Sequence, residues 1–270
     1  TFLALVACAV AGRVPGWVVP AFATSPCIIF FYLGQEPQGF RHSNTTARIC
    51  QILGGGPHYA TLYDREKHIP FYSAYIIQLP CFGEAYWKTG EWYIEPQVKY
   101  LHHAGVQQWS VLRPAHVRQV RESQATDDNY TWLGYYRQRL HPNYLQGSSG
   151  LLATFALTAQ APMYHSFNRN VWFLNPVTMV HAKTTSNCTA PTDVYVVAGV
   201  VPEQGVGARV SRPAFVWTAT CCAGRSYSIA FFGEGDPLEP TIVEVEVSTL
   251  ESRLSHHYTG RVTIFPGGCS

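Results

Sequence analysis

The stretch from Tyr135 to Trp172 constrains the fold most, because three kinds of local pattern follow one another there. A polar segment that carries arginine and histidine enters a Gly/Ser turn at 147–150. An apolar, β-prone run from Leu151 to Thr158 predicts a strand after that turn. A helical spacing of apolar residues begins at Ser166. Strand, turn, strand and helix in this order would direct side chains from three elements toward one place.

The residue order in this stretch, and well outside it, resembles a known family. It reads R-x-R-L-x-P from Arg137, A-T-F-x-L-T from Ala153 and F-N-R-x-x-W from Phe167. Further motifs are Y-A-T-L-Y-D from Tyr59 and I-E-P-Q from Ile94. Together they are similar to the DNA/RNA non-specific endonucleases of the ββα-metal class, and to a secreted vertebrate branch of them. The resemblance implies an α+β fold with a mixed or antiparallel sheet core, a ββα-metal (His-Me finger-like) centre and disulfide bonds.

The resemblance also implies a chemistry, and the chain departs from it. Active members carry Asp-Arg-Gly-His, whose histidine is the general base, and an asparagine that holds a divalent cation. Aligned on the leucine and proline that follow it, this motif falls on 136–139, so Arg139 occupies the base position. Asn168 matches the metal ligand, and the implied cofactor is Mg²⁺, bound weakly or absent. The acid that helps to hold the metal's waters has no counterpart, because no Asp or Glu occurs between Asn168 and Asp193.

The candidate catalytic residues are therefore Arg139, Asn168 and, as a displaced base, His141. A guanidinium has a pKa above about 12 and no acceptor lone pair, so Arg139 cannot take a proton from water. Arginine instead binds phosphate through paired hydrogen bonds, which makes Arg137 and Arg139 the predicted nucleic-acid contacts. His141 lies two residues beyond Arg139, and such residues share a face in an extended strand, although Pro142 follows at once.

Three functions remain open at this point. The first is an endonuclease-like protein impaired in catalysis, with weak nucleic-acid, phosphate and divalent-metal binding. The second is an active Mg²⁺-dependent endonuclease that uses His141 as its base. The third is an extracellular structural or interaction protein on a nuclease frame.

The amino-terminal residues predict that the protein is secreted. An apolar run from Phe2 to Ala11 is too short to span a bilayer, and A-x-A sites follow at 21–23 and, as a rival, at 9–11. This favours a signal peptide over residues 1–23 and an endonuclease-like domain over 24–270, in a secreted protein without a membrane span. The alternative for the amino terminus is a buried strand.

The cysteines and sequons agree with secretion. Cys8 would leave with the signal peptide. The resemblance implies six disulfide positions and leaves over Cys81; the six are Cys27, Cys50, Cys188, Cys221, Cys222 and Cys269. Cys27 and Cys50 would close a local loop, whereas the last four allow three pairings. Neighbouring residues on a strand face opposite sides, which disfavours a Cys221–Cys222 bond. N-glycosylation sequons begin at Asn44, Asn129 and Asn187.

Charge argues against a protein that coats nucleic acid, since the 270 residues carry a formal net charge of only +2. One local basic group exists, diluted by nearby acids, and consists of Arg113, Arg118, Arg121, Arg137 and Arg139.

The remaining sequence patterns predict further secondary structure. They predict strands at Cys27–Tyr32 and Trp92–Glu95, hairpins at 59–79 and 215–232, a helix at Pro114–Gln124, a loop at Asp127–Tyr130, and a helix at Ser248–Leu254 with a Ser248/Glu251 capping box.

Overall fold

An eight-stranded antiparallel sheet forms the centre of the computed structural model. The structure describes residues 16–40, 44–77, 91–99, 107–108, 114–131, 135–142, 148–165, 172, 178–188, 193–203, 210–234, 241–258 and 260–269. The strands of the sheet are β1 (Gly16–Val19), β2 (Thr46–Leu53), β3 (Gly56–Asp64), β4 (Ile69–Ile77), β9 (Val194–Pro202), β10 (Pro213–Cys222), β11 (Ser228–Glu234) and β12 (Ile242–Val245). They lie in the order β1-β2-β3-β4-β9-β10-β11-β12.

Both faces of this sheet are covered, and the alternation of side chains in β9 shows why. Val196, Ala198 and Val200 pack into one apolar core, while Val197 and Val201 pack into the other. A strand with alternating side chains needs apolar residues at nearly every position when both its faces are buried. Gly199 is required in this strand, because a Cβ there would lie 2.3 Å from the Phe71 carbonyl oxygen and 2.4 Å from the Trp217 ring.

Two short ribbons, five α-helices and several short 3-10 helices complete the regular structure of the described residues. The ribbons pair β5 (Tyr93–Ile94) with β6 (Gln107–Gln108), and β7 (Tyr136–Arg139) with β8 (Gln160–Met163). The α-helices are α1 (Pro114–Arg121), α2 (Asp127–Thr131), α3 (Ser148–Ala153), α4 (Thr178–Asn187) and α5 (Val247–His257). The class is α+β, as expected, and both predicted hairpins and the helix at 114 are present.

Three disulfide bonds join the six expected cysteines. Cys27 pairs with Cys50, Cys188 with Cys222, and Cys221 with Cys269. Cys221 packs in one core and Cys222 in the other, so the neighbours face opposite sides of β10 and take separate partners. The pairing among the last four cysteines, which the sequence left open, is thereby resolved.

Part of the segment predicted to be a signal peptide, residues 1–23, contributes to the sheet and its core. Strand β1 pairs with β2 from Gly16 to Val19, and the Phe22 side chain is fully buried in the core. Cleavage after residue 23 would remove both. The large sheet therefore includes residues 16–19, whereas the apolar run Phe2–Ala11 lies outside the described residues.

The strand predicted at Leu151–Thr158 is wrong. Helix α3 covers the start of that run, a 3-10 turn covers Leu157–Ala159, and the strand begins only at Gln160. The Gln160 amide donates to the carbonyls of Thr154 and Ala156, both at 3.0 Å, and so fixes the bend before the strand. A short apolar run suits a buried helix as well as a strand, and these tertiary bonds decide between them.

Two further local predictions are wrong for reasons of capping. A 3-10 helix replaces the strand at Cys27–Tyr32, because Pro26 starts it and the Ser25 hydroxyl accepts from the Cys27 N–H. Asp127–Thr131 is a helix rather than a loop, since the Asn129 Oδ1 accepts from the Thr126 N–H at 2.8 Å.

Helix α5 begins at Val247 with Glu246 as its N-cap, so Ser248 is not the cap. The Glu251 carboxylate accepts instead from the Ile264 N–H at 2.6 Å, which ties the helix to the carboxy-terminal segment. In the part of the chain that is described, no helix has the length and apolar character to cross a bilayer.

Candidate functional site

The β7–β8 ribbon carries Arg137 and Arg139, two of the residues that the sequence singled out. Arg139 lies opposite Gln160, and Arg137 lies opposite Pro162. Leu140, Ala161 and Met163 pack into the core above one face of the large sheet, which anchors the ribbon. Because Arg137 and Arg139 are two residues apart on a strand, they share one face of the ribbon.

Arg139 lies in a corner between two aromatic rings. Its guanidinium carbon is 4.5 Å from the centre of the Phe155 ring and 5.1 Å from that of Trp92. Burial lowers the pKa of Arg139, and the hydroxyls of Tyr136 and Tyr59 oppose that change. Its Nε is buried and has no hydrogen-bond partner among the residues described. The side chain is thus held by π faces, with no carboxylate partner in the described chain.

Arg137 extends the same arrangement. Its guanidinium carbon is 5.3 Å from the Trp92 ring centre and 5.5 Å from that of Tyr130, and it forms an ion pair with Asp127. Trp92 is placed by its neighbour, since the Tyr93 N–H donates to the Phe155 carbonyl at 3.0 Å. We call these five residues the arginine–aromatic cluster: Trp92, Tyr130, Arg137, Arg139 and Phe155.

His141 lies in the core beside the cluster. The imidazole is 1% exposed and lies 4.1 Å from the Tyr75 ring centre and 5.0 Å from that of Tyr59. Neither ring nitrogen has a hydrogen-bond partner among the described residues. Burial lowers the pKa of His141 to about 3, with the nearby carbonyls of His141 and Pro142 opposing. At neutral pH the ring is therefore uncharged and packed against tyrosines.

Asn168, the predicted metal ligand, lies outside the described residues, as does the helix predicted from Ser166. Within the residues that are described, no group of three or more His, Cys, Asp or Glu side chains could hold a metal ion. The fit of a cation at Asn168 therefore stays a prediction.

Glu95 is a buried carboxyl that sequence reasoning left without a role. It is 1% exposed; its Oε2 accepts from the Thr158 hydroxyl, and its Oε1 has no partner in the described chain. The Gln124 side-chain amide forms two hydrogen bonds with the Glu95 backbone. It accepts from the Glu95 N–H at 3.0 Å and donates to the Glu95 carbonyl at 2.8 Å. Burial raises the pKa of Glu95 to about 7, against the opposing Thr158 bond. The sequence offered one sign that Glu95 is buried, namely its apolar neighbours Ile94 and Pro96, and both of these are buried in the structure.

The other arginines of the predicted basic group are neutralised where they are described. Arg118 lies 3.6 Å from Glu122, and Arg121 pairs with Asp128. Arg113 falls outside the described residues. These pairs agree with a solvated, charge-balanced face rather than a continuous basic track.

The three sequon asparagines occupy different settings. Asn44 and Asn187 are exposed, and the Asn187 amide donates to the Lys183 carbonyl at 2.8 Å. Asn129 is half-buried, and its Oδ1 caps α2.

Comparison with known proteins agrees with this architecture. No protein-family model matches the chain. The human endonuclease domain-containing 1 protein is 33% identical over 212 residues, which is 76% of this chain and 41% of that protein. The mouse protein of the same name is 31% identical over 237 residues, 85% of this chain and 45% of that protein. The chain thus spans less than half the length of these relatives.

A solved structure shares the fold. The crystal structure of the EndoG/EndoGI complex matches with a TM-score of 0.51 at 14% identity, over 87% of this chain and 90% of the matched chain. Over the region matched, the chain therefore belongs to the endonuclease family, in its endonuclease domain-containing 1 branch.

Proposed function

We propose that this domain is a nuclease-like protein that does not cleave phosphodiester bonds at a useful rate and that binds nucleic-acid phosphate weakly through Arg139. The observation that carries the proposal is the guanidinium at the position where the family has its base. Arg139 lies on β7, held by Trp92 and Phe155, and offers hydrogen-bond donors but no acceptor. A general base contributes roughly a hundred- to ten-thousand-fold to rate, so its loss removes most cleavage.

The burial of His141 supports this function over an active enzyme that uses it as base. A base accepts protons best when its pKa lies near the working pH. Burial lowers the pKa of His141 to about 3, and the ring packs between Tyr59 and Tyr75. Water would have to enter a tyrosine-lined core to reach it.

The proposal includes a divalent cation only as a bound ion, not as part of cleavage. Asn168 is the residue that would hold it, and a bound Mg²⁺ would supply positive charge to a phosphate oxygen. Arg139 would then act beside it as a second positive group that binds the phosphate without taking a proton.

Secretion belongs to the same proposal. Three disulfide bonds favour an oxidising compartment, and exposed Asn44 and Asn187 suit glycosylation. Because β1 and Phe22 belong to the fold, the rival leader cleavage at 9–11 fits better than cleavage after residue 23.

Cleavage is tested with plasmid DNA and single-stranded RNA, in magnesium and in chelator. We expect no chelator-sensitive nicking by the purified protein. Magnesium-dependent nicking that His141→Ala abolishes, while the control His256→Ala on the exposed end of α5 retains it, would establish the active-enzyme alternative instead.

Binding is tested by fluorescence anisotropy in chelator, so that no substrate is consumed. Arg139→Met removes the charge and keeps apolar contact with the two rings. It should weaken salt-dependent binding and lower the salt slope by about 0.7–0.9. Arg118→Met, a charge-matched change on an exposed ion pair, should have a smaller effect. Absence of any salt-sensitive binding would leave only the structural or interaction protein.

A further inference from the structure

We infer that a groove along the edge strand β1 holds the first sugars of an N-linked glycan attached to Asn44, and that Trp17 packs against them. The inference rests on the proposed function, because it requires the secretion and the glycosylation included there. It goes further in giving the glycan a defined place on the protein surface.

The groove lies along the outermost strand of the large sheet and is apolar on one side. Trp17, Val19, Pro20 and Ala47 contribute its apolar wall, and its volume is about 660 Å³, within the range of small-ligand sites. Trp17 is 46% exposed. None of the ring-to-ring or cation–π contacts in the described part of the chain involves it. We call this feature the β1 groove.

The first sequon of the chain, Asn44-Thr45-Thr46, reaches the β1 groove. Thr46, its third residue, lines the groove, and so does Arg65. The Arg65 guanidinium donates to the Asn44 carbonyl and, at 3.2 Å, to the Thr45 carbonyl. These bonds fix the sequon backbone beside the groove, while Asn44 itself is exposed. A glycan on Asn44 would therefore start at the edge of this surface.

Strand register gives the span that the sugars would cover. Trp17 lies opposite Cys50 on β2, and Thr46 is the first residue of that strand. Thr46 and Cys50 share a face because four residues separate them, so Trp17 lies on that face too. At about 3.3 Å per residue the separation is about 13 Å along the strand. The first few sugar rings of a glycan can cover that length, and their covalent tether makes even a weak contact effective.

A sugar ring suits the chemistry of the β1 groove. One face of a pyranose carries C–H groups, which pack on an indole ring, whereas its hydroxyl and acetamido groups need polar partners. The groove supplies such partners beside its apolar wall, because Gln97 has a side-chain amide and Thr46 has a hydroxyl. The mixture of apolar and polar groups thus matches N-acetylglucosamine, the sugar that N-glycosylation attaches to asparagine.

An added β-strand, from a peptide or a second copy of the chain, suits the groove less well. Such a strand would pair with the outward backbone groups of β1. The N–H of Val18 already donates to the Gln97 side-chain oxygen at 2.9 Å. An incoming strand would have to break that bond, whereas a tethered sugar packs on side chains and leaves it intact.

The first test measures the exposure of Trp17 in protein secreted from animal cells. Peptide mass spectrometry establishes whether Asn44 carries a glycan. Hydroxyl-radical footprinting then compares the native chain with Asn44→Gln, and we expect Trp17 to be oxidised several-fold faster in the variant. Asn187→Gln removes another exposed sequon, on α4, and should leave the oxidation of Trp17 unchanged.

Each other outcome of this test has a distinct meaning. An unmodified Asn44 would overturn both the inference and the proposed glycosylation there. A modified Asn44 with equal oxidation of Trp17 in both proteins would overturn the inference alone. Protection of Trp17 that persists in Asn44→Gln and grows with protein concentration would also overturn it, since a second copy would then occupy the groove.

The second test is a double-mutant cycle on thermal stability with Asn44→Gln and Trp17→Thr, a residue that suits an exposed strand position. Loss of the glycan should lower the melting temperature by about 2–4 °C in the native background, the size of a modest contact in a domain of this length. The decrease should be clearly smaller in the Trp17→Thr background. An equal decrease in both backgrounds would overturn the inference, because the glycan would then stabilise the domain without contacting Trp17.

Discussion

Replacement of Glu95 by glutamine should make the domain more stable at alkaline pH relative to the native chain. The Glu95 carboxyl is 1% exposed, and burial raises its pKa from 4.5 to about 7. The folded state therefore holds the proton more tightly than the unfolded state. Its contribution to stability is complete below pH 4.5 and is lost as the pH rises through 7.

The size of the effect follows from that pKa difference. Each pH unit between the two values corresponds to about 1.4 kcal/mol, so the shift amounts to about 3 kcal/mol. The amide oxygen of the Glu95→Gln variant can still accept the Thr158 hydroxyl bond, and the backbone clasp by Gln124 is unchanged. Any constant cost of burying the new amide displaces the whole curve without altering its shape.

The assay is chemical denaturation of both proteins from about pH 4.5 to 8, which spans the two pKa values. The difference in unfolding free energy, variant minus native, should rise by about 3 kcal/mol and then level off. The exposed Glu91→Gln on the same segment should change far less, because water solvates that carboxyl in both states. A flat difference curve for Glu95→Gln would refute the reasoning, since it would mean that the carboxyl titrates as if hydrated.

Three further predictions concern stability. His141→Phe should reduce the loss of stability in acid. Because the pKa of His141 is lowered to about 3, the native chain should lose about 4–5 kcal/mol of unfolding free energy between pH 6.5 and 3, and the variant should lose less. Denaturation at each pH measures the difference. Gly199→Ala should destabilise by more than about 2 kcal/mol, because its Cβ meets the Phe71 carbonyl and the Trp217 ring; an unchanged melting temperature would contradict this. Leu33→Gly should be neutral or stabilising by up to about 1 kcal/mol, since Leu33 has a φ of 52° and is 62% exposed, whereas Ile29→Gly should destabilise.

The sequence predicts the strands of the large sheet because their signals are local. Alternating or continuous apolar runs at β4, β9 and β10 lie between turn residues, and short hairpin connections set the neighbours. Helix α2 also has a local signal: Thr126 and Asn129 form the cap, and the aspartates between them suit a first turn. The same polar residues are common in loops, which is why the pattern alone predicts the wrong structure there.

The environment of the candidate site, in contrast, depends on contacts between distant parts of the chain. Trp92 and Phe155 reach Arg139 from two other segments, and no periodicity in either segment indicates that they meet. A strand that continued through residue 141 would place His141 on the same face as Arg139, yet the His141 ring packs into the core against Tyr59 and Tyr75, beyond the last residue of β7. Alternation predicts which side chains share a face only within a regular strand, and it does not apply beyond the residue where the strand ends.

Under the proposed function, the aromatic corner at Arg139 and the replacement of the base are parts of one change. A buried guanidinium with no carboxylate partner in the described chain carries a desolvation cost that π faces offset only in part. Two rings within about 5 Å of Arg139 reduce that cost, and an incoming phosphate would reduce it further. A histidine at this position would be neutral at physiological pH and would need no such corner. The surroundings of position 139 thus support the proposal that Arg139 binds an anionic phosphate.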